Sequence, residues 1–123
     1  MVLDACSGAV MSRRHFDTAN AASSITGYVQ TSVRERSIVL VCSRDGTEMM
    51  GPSEMYVFTR LGSTKPIVFQ RKGSFAMLGY KGPTKPSWIK VLNQAADQKA
   101  ASLQHYVPLM LSEYRCSAKA EAL

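Results

Sequence analysis

The chain has 123 residues, 46% of them apolar and 20% charged, which suits one globular domain and excludes an intrinsically disordered chain. No stretch approaches the roughly 18 consecutive apolar residues of a membrane-spanning helix, and no internal repeat or heptad run occurs. Fifteen Lys and Arg against nine Asp and Glu give a net charge of +6, but the basic residues fall singly or in pairs (Arg13-Arg14, Arg34 with Arg36, Arg71-Lys72), so a soluble basic surface accounts for them and nucleic acid is not an expected partner.

In chain order, residues 2–10 read as a short strand, a turn at Ser7-Gly8 and a second strand. A strand of two or three residues is too short to hold a sheet edge alone. The opening Met1-Val2-Leu3-Asp4 lacks the basic start and long apolar core of a signal peptide. A cytosolic chain, a missing leader and unconventional export all remain open on that ground. Asp17, Thr18 or Asn20 can cap a helix, because their side-chain oxygens accept from free N–H groups. The helix is expected over residues 21–33, where Ala22, Ile25, Val29 and Val33 form one apolar stripe.

Residues 37–43 (SIVLVCS) are the clearest strand. Their continuous apolar interior predicts cover on both faces, and Arg44-Asp45-Gly46 is a turn signature. Gly51-Pro52-Ser53-Glu54 opens a second helix, with Met55, Phe58 and Leu61 on one face and Gly62 as its stop. Strands are expected at 67–69, 74–80 and 88–92. A further strand is expected at 101–111, with Leu103, His105 and Val107 on one side and Pro108 placing it at an edge. Residues 113–123 read as a frayed tail behind a single domain of residues 1–112. The order β-β-α-β-α-β-β-β points to an α/β or α+β sandwich.

Three cysteines are an odd count. Two can pair, Cys6 with Cys42 among the choices, or all can be free thiols. Cys42 reads as a small buried hydrophobe, whereas Cys116 lies in a polar tail where it can bridge two chains. No CxxC zinc motif, GxSxG, HExxH or phosphate-binding loop occurs. His15 and His105 have no metal-ligand spacing around them, and Met49-Met50 is a candidate wall for a ligand. Neither an enzyme, a metal nor a cofactor is expected.

The loops carry the chemistry. Arg44-Asp45-Gly46-Thr47-Glu48 closes the central strand, and Arg71-Lys72-Gly73-Ser74-Phe75 opens a later one. If those strands are antiparallel neighbours, the two loops share one edge and Asp45 lies beside Arg71 and Lys72. A carboxylate accepts from two vicinal hydroxyls, Arg or Lys donates to ring or acetamido oxygens, and Phe75 or Tyr80 offers a plate for a sugar face. Together with Arg44 and Ser74 these residues make up a small polar-ligand site. An exposed Asp–Arg pair with no ligand, worth at most about 1 kcal/mol, explains the same residue types.

Val2-Leu3-Asp4, Gly8-Ala9-Val10, Phe16-Asp17-Thr18, Ser37-Ile38-Val39-Leu40-Val41 before Asp45, Leu61-Gly62-Ser63 and the stretch from Arg71 to Gly82 (RKGSFAMLGYKG) occur in the order of motifs in one family. By them the chain resembles the interleukin-like EMT inducer/PANDER domain family over about residues 2–92. The resemblance implies a compact β-β-α sandwich, two small sheets with about two helices packed outside, and secretion. The family includes cytokine-like proteins and modules of glycan-handling proteins; one such module, the stem domain of protein O-linked-mannose N-acetylglucosaminyltransferase, binds β-linked N-acetylglucosamine. By the resemblance Asp45 matches the sugar-accepting Asp and Arg71 or Lys72 the family Arg. Phe75 stands where the family has Trp, and Gly73 roughly where it has Asp. The expected function is a small non-catalytic lectin for N-acetylglucosamine-type ends, acting on glycans or glycoproteins as a homo-oligomer, with a dimer as the default and residues 107–111 and Cys116 as the self-association surface. The alternative is a secreted cytokine-like signalling or protein-interaction domain. Nucleic-acid or heparin binding through the net charge is a third reading, marked by steep salt dependence.

Overall fold

The computed structural model describes residues 1–16, 18–44, 52–64, 67 and 72–110, with side chains at 18–24, 44 and 52–55 excepted. Five strands and two helices alternate along it: β1 (Val2–Asp4), β2 (Val10–Ser12), α1 (Thr18–Thr31), β3 (Ser37–Arg44), α2 (Pro52–Arg60), β4 (Ser74–Lys81) and β5 (Lys90–Gln94). The strands form one antiparallel sheet in the order β2-β1-β3-β4-β5. The architecture is α+β. Among the described residues there is one sheet rather than the expected two, because β1 pairs with both β2 and β3 and so joins the N-terminal hairpin to the central strands. None of the described helices is long and apolar enough to cross a membrane.

The N-terminal hairpin follows from its turn residues. Asp4 Oδ1 accepts from the Cys6 N–H at 2.7 Å, Gly8 N donates to Asp4 O, and Gly8 holds a positive φ of 76°. This is an Asx-type turn closed by the residue that tolerates left-handed backbone. The short β1 is not an edge; it lies between two partners, with β2 outside it.

Strand alternation gives the sheet two covered faces. On one, Val2, Val39, Phe75 and Met77 pack with Val29 and Val33 of α1, Val57 and Phe58 of α2, and Leu61 and Ile67. Phe58 and Phe75 meet with ring centroids 5.4 Å apart. On the other, Ile38, Leu78 and Tyr80 pack with Ala5 and Trp88, and Leu3, Leu40, Val107 and Met110 join them half-buried. Trp88 stands edge-on to Tyr80 at 5.9 Å.

The chain from 101 to 110 therefore covers the second face, but without forming the expected strand. It adheres through two side chains and one backbone bond: Val107 and Met110 reach the core, and Met110 N donates to Ala5 O at 2.8 Å, while Tyr106 is 93% exposed. Pro108 removes one ladder donor, and both flanks of β4 are already taken by β3 and β5. Val107 and Met110, expected on a self-association strand, are thus engaged with the domain's own sheet. The expected strand at 67–69 lies largely outside the described residues; Ile67 itself is buried in the first core. The last strand starts at Lys90 rather than Trp88, and Trp88 serves as a core plug in the approach to it. The tail at 113–123 and Met49-Met50 lie outside the described residues.

Both helix C-termini are held by lysines from the β4 region. Lys81 Nζ donates to the carbonyls of Val29 (2.5 Å), Gln30 (3.2 Å) and Val33 (2.7 Å) at the end of α1. Lys85 Nζ donates to Arg60 O at the end of α2 and to Tyr80 O. Those carbonyls have no intrahelical donors and carry the negative end of the helix dipole, so an ammonium is the fitting partner. Past α2, Ser63 N donates to Phe58 O and Gly62 N to Thr59 O, with Gly62 at φ 115°. This is a Schellman stop. It delivers Leu61 to β4, where Tyr80 N donates to Leu61 O at 2.9 Å.

Cys6 is in a disulfide and Cys42 is free and exposed. The two do not pair, and Cys42 is not the buried hydrophobe expected from its apolar run. Cover on β3 thins along its length: residues 37–39 are buried, 40 and 41 half-buried, and 42 is open.

Candidate ligand-binding site

The antiparallel alternative for the two loops is the one the fold adopts. In the β3–β4 ladder Arg44 faces Ser74 and Ser43 faces Phe75. The chain leaving β3 and the chain entering β4 therefore share one end of the sheet, at adjacent positions about 5 Å apart. Asp45 and Arg71 lie outside the described residues, as does the Arg44 side chain.

The remaining candidates are placed individually. Lys72 is exposed and has a positive φ of 57°, a backbone conformation non-glycine residues rarely adopt. Ser74 is half-buried, and its Oγ accepts from Ala101 N at 2.6 Å, so the hydroxyl is tied to the C-terminal segment. Phe75 is a correction. It is 1% exposed and packs on Phe58, because the strand period turns it to the helix-covered face. It is a core residue, not an open plate for a sugar. Tyr80 does not replace it: it is 2% exposed, five positions further along β4, and its hydroxyl donates to Met110 Sδ at 3.5 Å. Sequence reasoning missed a polar atom at this end: the Ser43 hydroxyl is buried and has no hydrogen-bond partner among the described residues.

A second concavity was not legible in the sequence, because its walls come from three separate segments. A groove of about 570 Å³ lies between the end of α2 and the outer strand β5. Residues 62–64, Lys85 and Ser87 line it together with the aliphatic Ile67, Ile89 and Val91. Asn93 lines it too and pairs with Phe75, one position from the Ser74–Gln94 pair. The groove thus reaches the end of the sheet where β3 ends at Arg44 and β4 begins at Ser74. Its volume falls in the range of small-ligand pockets. Burial lowers the pKa of the Lys85 ammonium from the usual lysine value, and the Glu35 carboxylate opposes that shift. Among the described residues no group of three or more His, Cys, Asp or Glu is placed to hold a metal ion.

Past β2, the strand at the opposite edge of the sheet from β5, Arg14 sits over the rings of Phe16 (5.4 Å) and Tyr28 (5.1 Å). Tyr28 is bonded to Ser12 through its hydroxyl. This cation–π stack ties the exit of β2 to the helix.

These features define a small α+β domain with a helix-covered sheet and ligand-sized relief at one end. The interleukin-like EMT inducer family model matches residues 1–83, and the chain belongs to that family. Two curated relatives extend the likeness. The human protein named cell surface hyaluronidase CEMIP2 is 38% identical over 94 residues, 76% of this chain and 7% of the relative. The zebrafish (Danio rerio) protein named cell surface hyaluronidase is 28% identical over 125 aligned residues, 99% of this chain and 9% of the relative. The chain thus spans less than a tenth of the length of either relative.

Proposed function

We propose that this domain is a non-catalytic carbohydrate-binding module that recognises N-acetylhexosamine-bearing glycans outside the cell. The observation that carries the reading is the pairing of Arg44 with Ser74, the last residue of β3 with the first of β4, next to which Asp45 and Arg71-Lys72 stand in the sequence. A carboxylate and one or two cations at such an edge fit vicinal hydroxyls and acetamido oxygens. The relatives' names support the class of ligand: both are called cell surface hyaluronidases, and hyaluronan is a polymer of glucuronic acid and N-acetylglucosamine. The chain's small share of those proteins favours an accessory binding role over the whole catalytic function. A shallow single site binds weakly, so useful avidity comes from several linked copies.

The test is a glycan array at physiological salt with the wild-type chain beside Asp45→Ala and Arg71→Ala. Binding to a narrow set of N-acetylhexosamine glycans, lost in both variants with the melting temperature unchanged, is the expected result. A blank array moves the assignment to a protein-interaction domain. Binding to sulfated glycans alone, shared by all three proteins and falling steeply with salt, reduces the site to the basic surface.

A further inference from the structure

The groove beside β5 has a composition that the loop site does not need. Its floor is aliphatic, from Ile67, Ile89 and Val91, and its rims carry the Thr64 and Ser87 hydroxyls. Both rim residues are exposed. Among the described lining residues Lys85 is the one charged side chain. Its ammonium head is fixed by the Arg60 and Tyr80 carbonyls, which take two of its three protons. Among the described residues those are its two acceptors, which leaves the third proton for an acceptor in the groove.

A pyranose ring has an apolar face of C–H groups and an equatorial belt of hydroxyls, which suits an aliphatic floor between hydroxyl rims. The fixed ammonium adds a preference for a carboxylate over a further hydroxyl, since charge-assisted hydrogen bonds are roughly twice as strong as neutral ones. Asn93 supplies an amide at the end nearest the loop site. The groove therefore runs along the sheet edge toward the proposed N-acetylhexosamine site, in line with a chain of sugars rather than a single one.

We infer that this groove binds a uronic-acid-bearing segment of the same glycan, with Lys85 meeting the sugar carboxylate and the Thr64 and Ser87 hydroxyls flanking the ring. The inference rests on the carbohydrate-binding reading and extends it from one sugar end to an extended acidic glycan.

The test uses the full 123-residue chain and a hexasaccharide of alternating glucuronic acid and N-acetylglucosamine, titrated by calorimetry at two salt concentrations. Thr64→Trp and Ser87→Trp fill the groove from its exposed rims and leave the Lys85 cap in place; far-UV circular dichroism and melting curves verify folding. The expected result is at least tenfold weaker binding in each variant, and at least tenfold weaker binding of the carboxyl-reduced hexasaccharide to the wild type. The ligand-side comparison requires no variant to fold. Unchanged affinity in both groove variants, with loss in Asp45→Ala, overturns the groove and leaves the module reading intact. Weakening by Trp without any effect of carboxyl reduction overturns the acidic-sugar assignment. Equal, groove-dependent binding of a hexaglutamate peptide overturns it as well. No binding by the wild type at millimolar hexasaccharide overturns the inference; the array of the preceding subsection then decides the module reading separately. Loss in the groove variants with none in Asp45→Ala supports the groove and removes Asp45 from the site.

Discussion

Lys81 lies in the stretch by which the chain resembles its family, and its placement makes it structural. Replacing it by Met keeps the aliphatic stem and removes the ammonium that reaches the Val29, Gln30 and Val33 carbonyls. A cation at a partly buried helix C-terminus contributes up to about 2 kcal/mol. A hydrogen bond to a charged group contributes about 1.5–3 kcal/mol. The two figures describe overlapping effects, and one ammonium serves all three carbonyls, so the expected loss is about 2–3 kcal/mol rather than their sum. At roughly 2.1 cal/mol/K of unfolding entropy per residue, a 123-residue chain loses about 10 °C of Tm. The assay is urea and thermal unfolding followed by the fluorescence of Trp88, the only tryptophan, which is 8% exposed and edge-on to Tyr80. Lys90→Met, at an exposed position on β5, is the control and should stay within about 0.5 kcal/mol. A Lys81→Met loss no larger than the control's would refute the capping argument. Unchanged destabilisation but abolished glycan binding in the folded variant would show that the residue also meets ligand.

Phe75→Ala should cost about 3–5 kcal/mol by emptying a site 1% exposed beside Phe58, measured by chemical unfolding. Phe75→Leu should keep glycan affinity within about twofold of wild type; a tenfold drop would restore the ring to the site. Gly79→Ala should destabilise by about 1–3 kcal/mol, since a Cβ there meets the Leu61 carbonyl oxygen at 2.9 Å and the backbone has to shift; equal Tm values would contradict that approach. Gly62→Ala combines a positive φ of 115° with a clash against Ile89, and should be worse than Gly27→Ala, where the new methyl meets nothing within 4 Å. Gly27→Ala itself should stabilise α1 by up to about 1 kcal/mol. Iodoacetamide should modify Cys42 in the native, non-reduced protein and leave Cys6 untouched until reduction.

Periodicity made the central elements legible. The apolar run at 37–43, the stripe of α1 and the Gly62 stop each follow from local chemistry, and each element lies within a few residues of expectation. What local pattern cannot supply is the partner of each strand. The single sheet depends on β1 pairing across a long separation with β3. The stretch at 101–110 has enough alternation to read as a strand, yet both flanks of β4 are taken, so it adheres by Val107, Met110 and isolated hydrogen bonds instead of a ladder. The same limit governs the site. The expectation for the Asp45 and Arg71 loops turned on one choice, antiparallel or parallel, and the ladder shows β3 and β4 to be antiparallel neighbours, while both residues lie outside the described ones. The face of β4 on which Phe75 falls was open to the same alternation argument, and placing Phe75 with Met77 in the core would have removed it as a sugar plate from the outset. The groove had no local signal at all.

The residues that mark the family are for the most part those that close the fold. Leu61 and Gly79 meet backbone to backbone, and Tyr80 N takes the Leu61 carbonyl. Gly62 ends α2 and leaves room for Ile89, and Lys81 ends α1. Such positions are fixed by packing whatever the domain binds, so family membership alone transmits the scaffold more firmly than the ligand. Ligand binding is therefore expected at positions outside these closing contacts: the sequence stretches beside Arg44 and Ser74 and the residues lining the β5 groove. Substitutions there should change binding at constant Tm, and substitutions at Leu61, Gly79 or Lys81 should change Tm at constant affinity. A scan in which the two sets exchanged their effects would place the binding surface on the closing contacts and overturn the division.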